Sequence, residues 1–377
     1  MNISLLHICP SFNNPLYSQL TDRQLTNGTK LRVFYFRCKG DGLPNSNRPY
    51  VDGCMPFSYV DRFIFKLKEY KVRKKFFSLY KQSQFDLIHA HTLFTSGYIA
   101  FQAKKKWGIP YVVAVRNSDI NAFFYKRPWL RYIGLNILKD ADKIVFISKT
   151  LKTNLMNKYV KKSDYKFIED KSIIIPNGID EFWLRNVPKL KYIGRKSNEA
   201  ICLIYYGDIN KNKNIITTII AADSLVADGY NIRFYVAGKL SDNRITYEIK
   251  KRDYIHYLGF LSKESLIKYL RESDIFVMPS FSETFGLSYV EAMSQGVPII
   301  YTKGQGFDEQ FPEGVVGFHV NPKSSVDIAN KIKNIMSMQT SMSYNCVKNA
   351  QNYNWDNIVY KYDELYKEIL EKHSKLL

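Results

Sequence analysis

Glu283 and Glu291 stand eight positions apart in the stretch "SFSETFGLSYVEAMSQGVPII" (280–300). Between them Gly286 permits a tight turn, and Leu287 and Ser288 open a helix. The first N–H groups of a helix lack partners within it and attract phosphate and hydroxyl oxygens. Glu291, about one turn in, lies toward the same end, where a carboxylate can accept two hydrogen bonds from paired ribose hydroxyls. Glu283 precedes the turn and can reach what sits beyond the phosphates. Taken alone, Glu291 is explained equally by a carboxylate stabilised at the positive end of a helix dipole.

Short apolar runs alternate with longer amphipathic ones along the whole chain. Strands are expected at 2–8, 31–36, 86–90, 111–115, 143–147 and 172–175, and after a polar stretch (185–200) again at 201–206, 232–238, 274–279 and 297–300. Strands separated by helical segments imply βαβ units, parallel sheets and right-handed crossovers. The pattern restarts half-way, so two doubly wound domains are expected, 1–180 and 181–354. The Asn-Gly of "IPNGIDEFW" (175–183) marks the hinge. A last helix beginning near Trp355 has no strand after it, so 355–377 is free to pack back on the first domain. "ADKIVFIS" (141–148) and "SDIFVMPS" (273–280) echo one another, each an acidic lead-in, a buried strand and a closing serine at the sheet edge where α/β folds place ligands.

The 377 residues suffice for two cores, and 45% hydrophobic with 24% charged residues describes a globular chain. No apolar run is long enough to span a bilayer. The N-terminal "MNISLLHICPSF" reads as a buried strand without a basic leader, so a cytoplasmic location is expected. Five scattered cysteines contain no C-x-x-C pair, which argues against a thiolate zinc site and fits reduced thiols. Of the net charge of +20, +17 lies in residues 1–180. That asymmetry points to an anionic partner, although lysine-rich composition alone could produce it. The excess concentrates in "RFIFKLKEYKVRKKFFSLYK" (62–81), with eight basic residues against Glu69 alone. Phe65, Val72, Phe76 and Leu79 share one helical face that packs on a sheet, while Phe63 and Tyr70 flank the basic side. Such a face suits an anionic membrane surface, which would make the protein peripheral on the inner face of the cytoplasmic membrane. The alternative is a solvated basic helix. No nucleic-acid module occurs, and no nucleic-acid partner is expected.

Five segments in order and spacing resemble one family. They are "DLIHAH" (86–91), "IIIPNGID" (173–180), "YLGFLSKESLIKYLRESDIFVMPS" (257–280), "PSFSETFGLSYVEAMSQGVPII" (279–300) and "NWDNIVYKYDELY" (354–366). Together they resemble the retaining nucleotide-sugar glycosyltransferases of family 4, whose E-x7-E pair is matched by Glu283 and Glu291. The resemblance implies the α/β GT-B fold, two Rossmann-like domains facing across a cleft, and transfer of a sugar, by default from a UDP-sugar, to a glycan or polyprenyl-linked acceptor in surface-polysaccharide synthesis. It implies that Glu291 binds the nucleotide ribose and Glu283 the transferred sugar. The amides of Phe285, Gly286 and Leu287 would hold sugar hydroxyls and phosphate, and Lys213 in "YYGDINKNKN" (205–214) would neutralise the departing diphosphate. With that charge supplied and no D-x-D motif at a strand end, neither a metal nor a cofactor beyond the nucleotide-sugar co-substrate is expected.

The chain departs from the family pattern in three places. Asp208 stands where an arginine is usual, leaving Lys211 to substitute or Lys213 to act alone. The loop "CPSFNNPLYSQL" (9–20) lacks the usual Gly-Gly turn, so approach to a phosphate falls to Asn13 or Asn14. Arg116, in "VAVRNSD" (113–119), occupies the usual position of an acceptor-side histidine. An arginine is no base but can grip an anionic acceptor bidentately. Ser118 and Asp119 of the same loop are candidates for acceptor hydroxyls, or are turn residues capping a helix. His91 is expected to project from its strand end into the cleft, and His89, on the same strand face, to be packed within the core. The departures keep two other classes open: a GT-B enzyme that isomerises or hydrolyses nucleotide sugars, and a catalytically silent binding subunit.

Overall fold

The computed structural model describes residues 3–42, 48–189 and 200–374. Most of the polar stretch at 185–200 lies outside the described residues, as do Asn2 of the first expected strand and the last three residues of the chain. The chain divides into two compact units, the first formed by the described residues of 1–147, 151–177 and 355–377, the second by those of 148–150 and 178–354.

The first unit holds β1 (Ser4–Ile8), β2 (Lys30–Cys38), β3 (Val51–Phe57), β4 (Leu87–Ala90), β5 (Tyr111–Val115), β6 (Lys143–Phe146) and β7 (Ser172–Ile174). They form one parallel sheet in the order β3-β2-β1-β4-β5-β6-β7. The second unit holds β8 (Ile201–Tyr206), β9 (Ile232–Ala237), β10 (Ile255–Gly259), β11 (Ile275–Val277), β12 (Ile299–Thr302) and β13 (Gly317–Val320), again all parallel, in the order β10-β9-β8-β11-β12-β13. In each sheet the winding reverses beside its first strand, between β1 and β4 and between β8 and β11. Loops leaving the carboxyl ends of those strands diverge there and open a crevice.

Buried parallel strands read as unbroken apolar runs, and β8 and β5 are buried at every position. Three strands have no counterpart in the sequence reading: β3, β10 and β13. All three are sheet edges. β3 carries Asp52, Gly53 and Pro56, and β10 is half-exposed, so neither shows the apolar run that marks an interior strand.

The echo between 141–148 and 273–280 has a physical cause. Asp142 Oδ2 accepts from the backbone N–H of Tyr111 at 2.9 Å, and Asp274 Oδ2 from that of Cys202 at 2.8 Å. Asp86, ahead of β4, does the same for Ser4 at 2.8 Å. Each aspartate satisfies a strand-edge N–H that no ladder partner reaches. The helix Trp355–Ser374 lays Trp355, Ile358, Val359, Tyr362, Leu365, Tyr366 and Ile369 into the first unit's core, against residues such as Leu5, Val33 and Leu87. In the helix Phe65–Leu79 the buried face comprises Phe65, Glu69, Val72 and Phe76. Leu79, expected on that face, is instead 39% exposed, because the helix ends there and Tyr80 turns inward to donate to Asp52 at 2.7 Å.

Candidate active site

The second unit's crevice is built from the loops after β8 and β11. The first loop runs through "GDINKNKN" (207–214), and its three asparagines each hold backbone. Asn210 caps the turn Lys211–Lys213 by accepting from the N–H of Lys213 at 3.1 Å. Asn212 pairs with Ser282 in both directions, accepting from its N–H at 3.0 Å and donating to its carbonyl at 2.9 Å, while the Asn212 carbonyl accepts from the N–H of Phe281. Asn214, left-handed at φ 57°, donates to the carbonyls of Pro279 and Pro322. The two loops are thereby stitched together on either side of Lys213.

That stitching places Lys213 Nζ 2.6 Å from Glu283 Oε2, with both side chains largely withdrawn from solvent. Glu283 Oε1 accepts from the N–H of Thr284, its own N–H donates to Gln305 Oε1, and its carbonyl accepts from Gly306. Gly286 follows at φ 83° as the cap of the helix Leu287–Ser294. A Cβ at this position would lie 2.3 Å from the Tyr289 ring, so only glycine fits both the dihedral and the space. Beyond it the amides of Phe285, Gly286 and Leu287 donate no hydrogen bond among the described residues. Glu291 lies one turn further on, where Tyr206, the last residue of β8, donates to the Ser288 carbonyl at 2.7 Å and lies 3.2 Å from Glu291 Oε2. Burial pushes the Glu291 carboxyl up to about 7, against the opposing pull of the Tyr206 hydroxyl and Lys263. Phe285 is buried against Phe307 and Tyr353, fixing the loop from below. Lys211 lines a separate apolar groove floored by Ile215, Ile219 and Ile245. Asp208 is exposed, and its carbonyl accepts from Tyr205.

In the first unit the corresponding loops place the remaining candidates. His91 is 1% exposed and does not project: its Nε2 lies 2.8 Å from Nδ1 of His7, and its ring stacks on His89 at 4.1 Å. Burial holds both His89 and His91 well below the usual imidazole range, so they are neutral core groups at physiological pH. His89 Nδ1 meets the Tyr366 hydroxyl at 2.7 Å. Arg116 donates from Nε to the His91 carbonyl at 3.2 Å and lies over the Tyr17 ring. Asp119 is buried, its two oxygens accepting from the N–H groups of Leu93, Phe94 and Arg116, so it fixes the loop. Asn14 caps the helix Pro15–Thr26 by accepting from Leu16. Asn13 and Ser118 line one pocket together with Thr95 and Lys68.

Residues 19–181 match the family model for Glycosyltransferase Family 4, and residues 187–353 match that for Glycosyl transferases group 1. With both sheets wound as described, the assignment is complete. The chain belongs to the family 4 glycosyltransferases of the GT-B fold. This glycosyltransferase is 27% identical over 281 residues to a 41.2 kDa protein of the cps region of Klebsiella pneumoniae, covering 72% of this chain and 74% of that one. It is 24% identical over 346 residues to the alpha-monoglucosyldiacylglycerol synthase of Acholeplasma laidlawii, 85% of this chain and 81% of the relative. Among solved structures it is similar to Anabaena HepE in complex with UDP-glucose, with a TM-score of 0.65 at 16% identity over 97% of this chain and all of that one, a likeness of fold.

Sequence reading of this glycosyltransferase missed Asn210, Asn212, Asn214, Gln305 and Tyr206. The asparagines carried a signal, since three at two-residue intervals around two lysines suit a loop whose backbone must be held by side chains. Tyr206 carried none, because it reads as one more residue of an apolar strand.

Proposed function

We propose that this enzyme transfers a hexose from a UDP-sugar, with retention of anomeric configuration, to a glycan or lipid-linked acceptor in surface-polysaccharide assembly. One observation carries the reading: the Lys213–Glu283 pair beside the unpaired amides of 285–287, with Glu291 one helical turn beyond. A cation, a row of N–H donors and two carboxylates in that order match a diphosphate flanked by a sugar and a ribose. On donor binding the diphosphate takes Lys213 from Glu283, and the freed carboxylate accepts from sugar hydroxyls. The bond from the anomeric carbon to the diphosphate oxygen then breaks as the acceptor oxygen bonds on the same face. The acceptor proton passes to the departing phosphate, whose added charge Lys213 neutralises. The UDP-glucose of the Anabaena structure, the glucosylated diacylglycerol in the name of the Acholeplasma relative and the cps setting of the Klebsiella relative support the substrate classes proposed. Incubation with UDP-, GDP-, ADP- and CMP-hexoses, scored for nucleotide release, is expected to show consumption of a UDP-hexose. Consumption of none, with or without acceptor extracts, would favour a silent subunit, and conversion of the donor without transfer would favour an isomerase.

Transfer is expected to need no metal, since Lys213 supplies the charge a divalent cation would otherwise bring to the diphosphate. Rates with and without excess EDTA should agree; a loss restored by Mn²⁺ would refute this.

The enzyme is further proposed to dock on anionic membrane through 62–81. Of its basic residues Arg62, Lys68, Lys71 and Arg73 are engaged with Asp41, Glu69, Asp61 and Gln102, leaving Lys66, Lys74, Lys75 and Lys81 exposed, the first three on the helix that also exposes Tyr70. Each free cation near such a surface is worth about 1 kcal/mol. Tyr125, Trp129 and Tyr132 are also exposed, and Tyr132 shares a groove with Lys66 and Tyr70, which extends the aromatic surface. Sedimentation with acidic vesicles at low salt should fall when Lys66, Lys74 and Lys75 are changed to Glu. Equal binding to neutral vesicles would rule the docking mode out.

A further inference from the structure

The first unit holds a pocket of about 370 Å³ whose cations the catalytic reading leaves unused. Arg37 enters it from the end of β2, Arg62 from the turn Val60–Phe63, and Lys68 from the helix Phe65–Leu79. Asn13, Thr95 and Ser118 supply neutral polar atoms to the same wall. Two carboxylates also line it, but they differ in what they can do. Asp119 has both oxygens committed to three backbone amides, and Asp41 is paired with Arg62. Arg37 has no carboxylate partner among the described residues. Lys68 Nζ lies 3.4 Å from the Thr95 hydroxyl and 3.1 Å from Glu69, whose carboxyl burial pushes up to about 7, so its neutralising charge is incomplete near neutral pH. Three cations therefore line the pocket, two of them also paired with carboxylates, Arg62 with Asp41 and Lys68 with the partly neutral Glu69. Around the start of the adjoining helix Thr95–Trp107 the amides of Leu93 and Phe94 are taken by Asp119 and those of Ser96 and Gly97 by Thr92, so the charged donors offered to a ligand are side chains.

We propose that this pocket binds the acceptor through a phosphoryl group held by Arg37, Arg62 and Lys68, with neighbouring hydroxyls on Asn13, Thr95 and Ser118. The word "acceptor" rests on the transferase reading; the anion site does not. A phosphoryl group fits better than a carboxylate, because three donors from three separate elements match three oxygens sharing nearly two charges, whereas a carboxylate offers two oxygens and one charge. The volume admits a phosphorylated saccharide unit as well as the anion. The grip on an anionic acceptor thus falls to these residues and not to Arg116, which is bonded to the His91 carbonyl and does not line the pocket. Arg62 stands next to the exposed Phe63 and Ile64, so a phosphate carried on a lipid would sit where the apolar surface begins.

Titration calorimetry with inorganic pyrophosphate at low salt tests the site. It is done on Lys213→Glu, which sets a second carboxylate beside Glu283 and so repels a diphosphate from the second unit's site. That variant should still bind pyrophosphate, and adding Arg37→Ala with Arg62→Ala should weaken binding about tenfold or more, with lysine at both positions recovering part of it. Lys68→Gln, which leaves the Arg62–Asp41 pair in place, gives the same readout should the double arginine variant fail to fold. Competition by glucose 1-phosphate would assign a soluble sugar phosphate; preference for neutral vesicles carrying undecaprenyl phosphate would assign a lipid-linked one. Unchanged affinity in the pocket variants, or loss of all pyrophosphate binding in Lys213→Glu alone, would overturn the site while UDP-hexose consumption by the parent stood. Pyrophosphate binding without any consumption of nucleotide sugar would instead sink the transferase reading and leave the anion site.

Discussion

Lys213→Ala is expected to lower turnover about 10²- to 10³-fold while changing donor affinity far less, the scale seen when one preorganised donor to a developing negative charge is removed. The asymmetry follows from the free protein's geometry. Before donor binds, Lys213 is already paired at 2.6 Å with Glu283. Donor binding therefore exchanges one anion for another around the ammonium, and the net gain in the ground state is small. As the sugar–phosphate bond breaks, the diphosphate gains charge and the same ammonium stabilises it more strongly, so the interaction is spent in the transition state. Asp208 standing in place of a second cation makes the dependence on Lys213 steeper. Steady-state kinetics would separate the two contributions. Equal losses of affinity and turnover would mean that Lys213 is a binding residue only.

Glu291→Ala is expected to act in the opposite way, weakening nucleotide affinity about a hundredfold or more by removing two charge-assisted hydrogen bonds of about 1.5–3 kcal/mol each. Because burial raises this carboxyl to about 7, the parent should bind nucleotide more tightly as pH rises through 7, when the carboxylate proposed to accept from ribose hydroxyls forms. The variant should lack that dependence. The same shift has a stability consequence of opposite sense to that of a salt-bridged acid. A folded-state value above the unfolded one near 4.5 means the folded form holds its proton more tightly, so the contribution is present in full below about 4.5 and is lost as pH rises through 7. Glu291→Gln should therefore gain on the parent between pH 5 and pH 8, by about 1–3 kcal/mol. Urea denaturation at the two pH values checks it; a gain confined to low pH would mean that the carboxyl is not buried as described.

Interior strands and the Gly286 turn were legible because their causes are local. A fully buried parallel strand is apolar at nearly every position, and a turn at φ 83° against the Tyr289 ring takes only glycine. Edge strands were not legible, since β3, β10 and β13 are paired on one side only and tolerate Asp52, Gly53 or an exposed His256. The basic helix shows a second limit. Its periodicity pointed to Leu79, yet Glu69 lies on the buried face with Lys68 at 3.1 Å, a pairing invisible to a hydrophobic pattern. His91 shows a third: its place at the end of β4 suggested exposure, but His7 on the neighbouring strand encloses it. Contacts between residues distant in sequence, such as Asn212 with Ser282 or Tyr206 with Glu291, belong to the fold and cannot be read from either segment alone.

The loops after β8 and β11 are proposed to hold a nucleoside diphosphate sugar between Lys213, Glu283 and Glu291. Titration calorimetry with UDP, GDP, ADP and CMP on the parent and on Lys213→Ala/Glu291→Ala decides whether they do. One diphosphate, UDP, should bind the parent at a single site and should bind the double variant at least about a hundredfold more weakly, while the variant's thermal unfolding stays cooperative. Equal affinity in parent and variant, or no nucleotide bound by the parent, would contradict the assignment of this site.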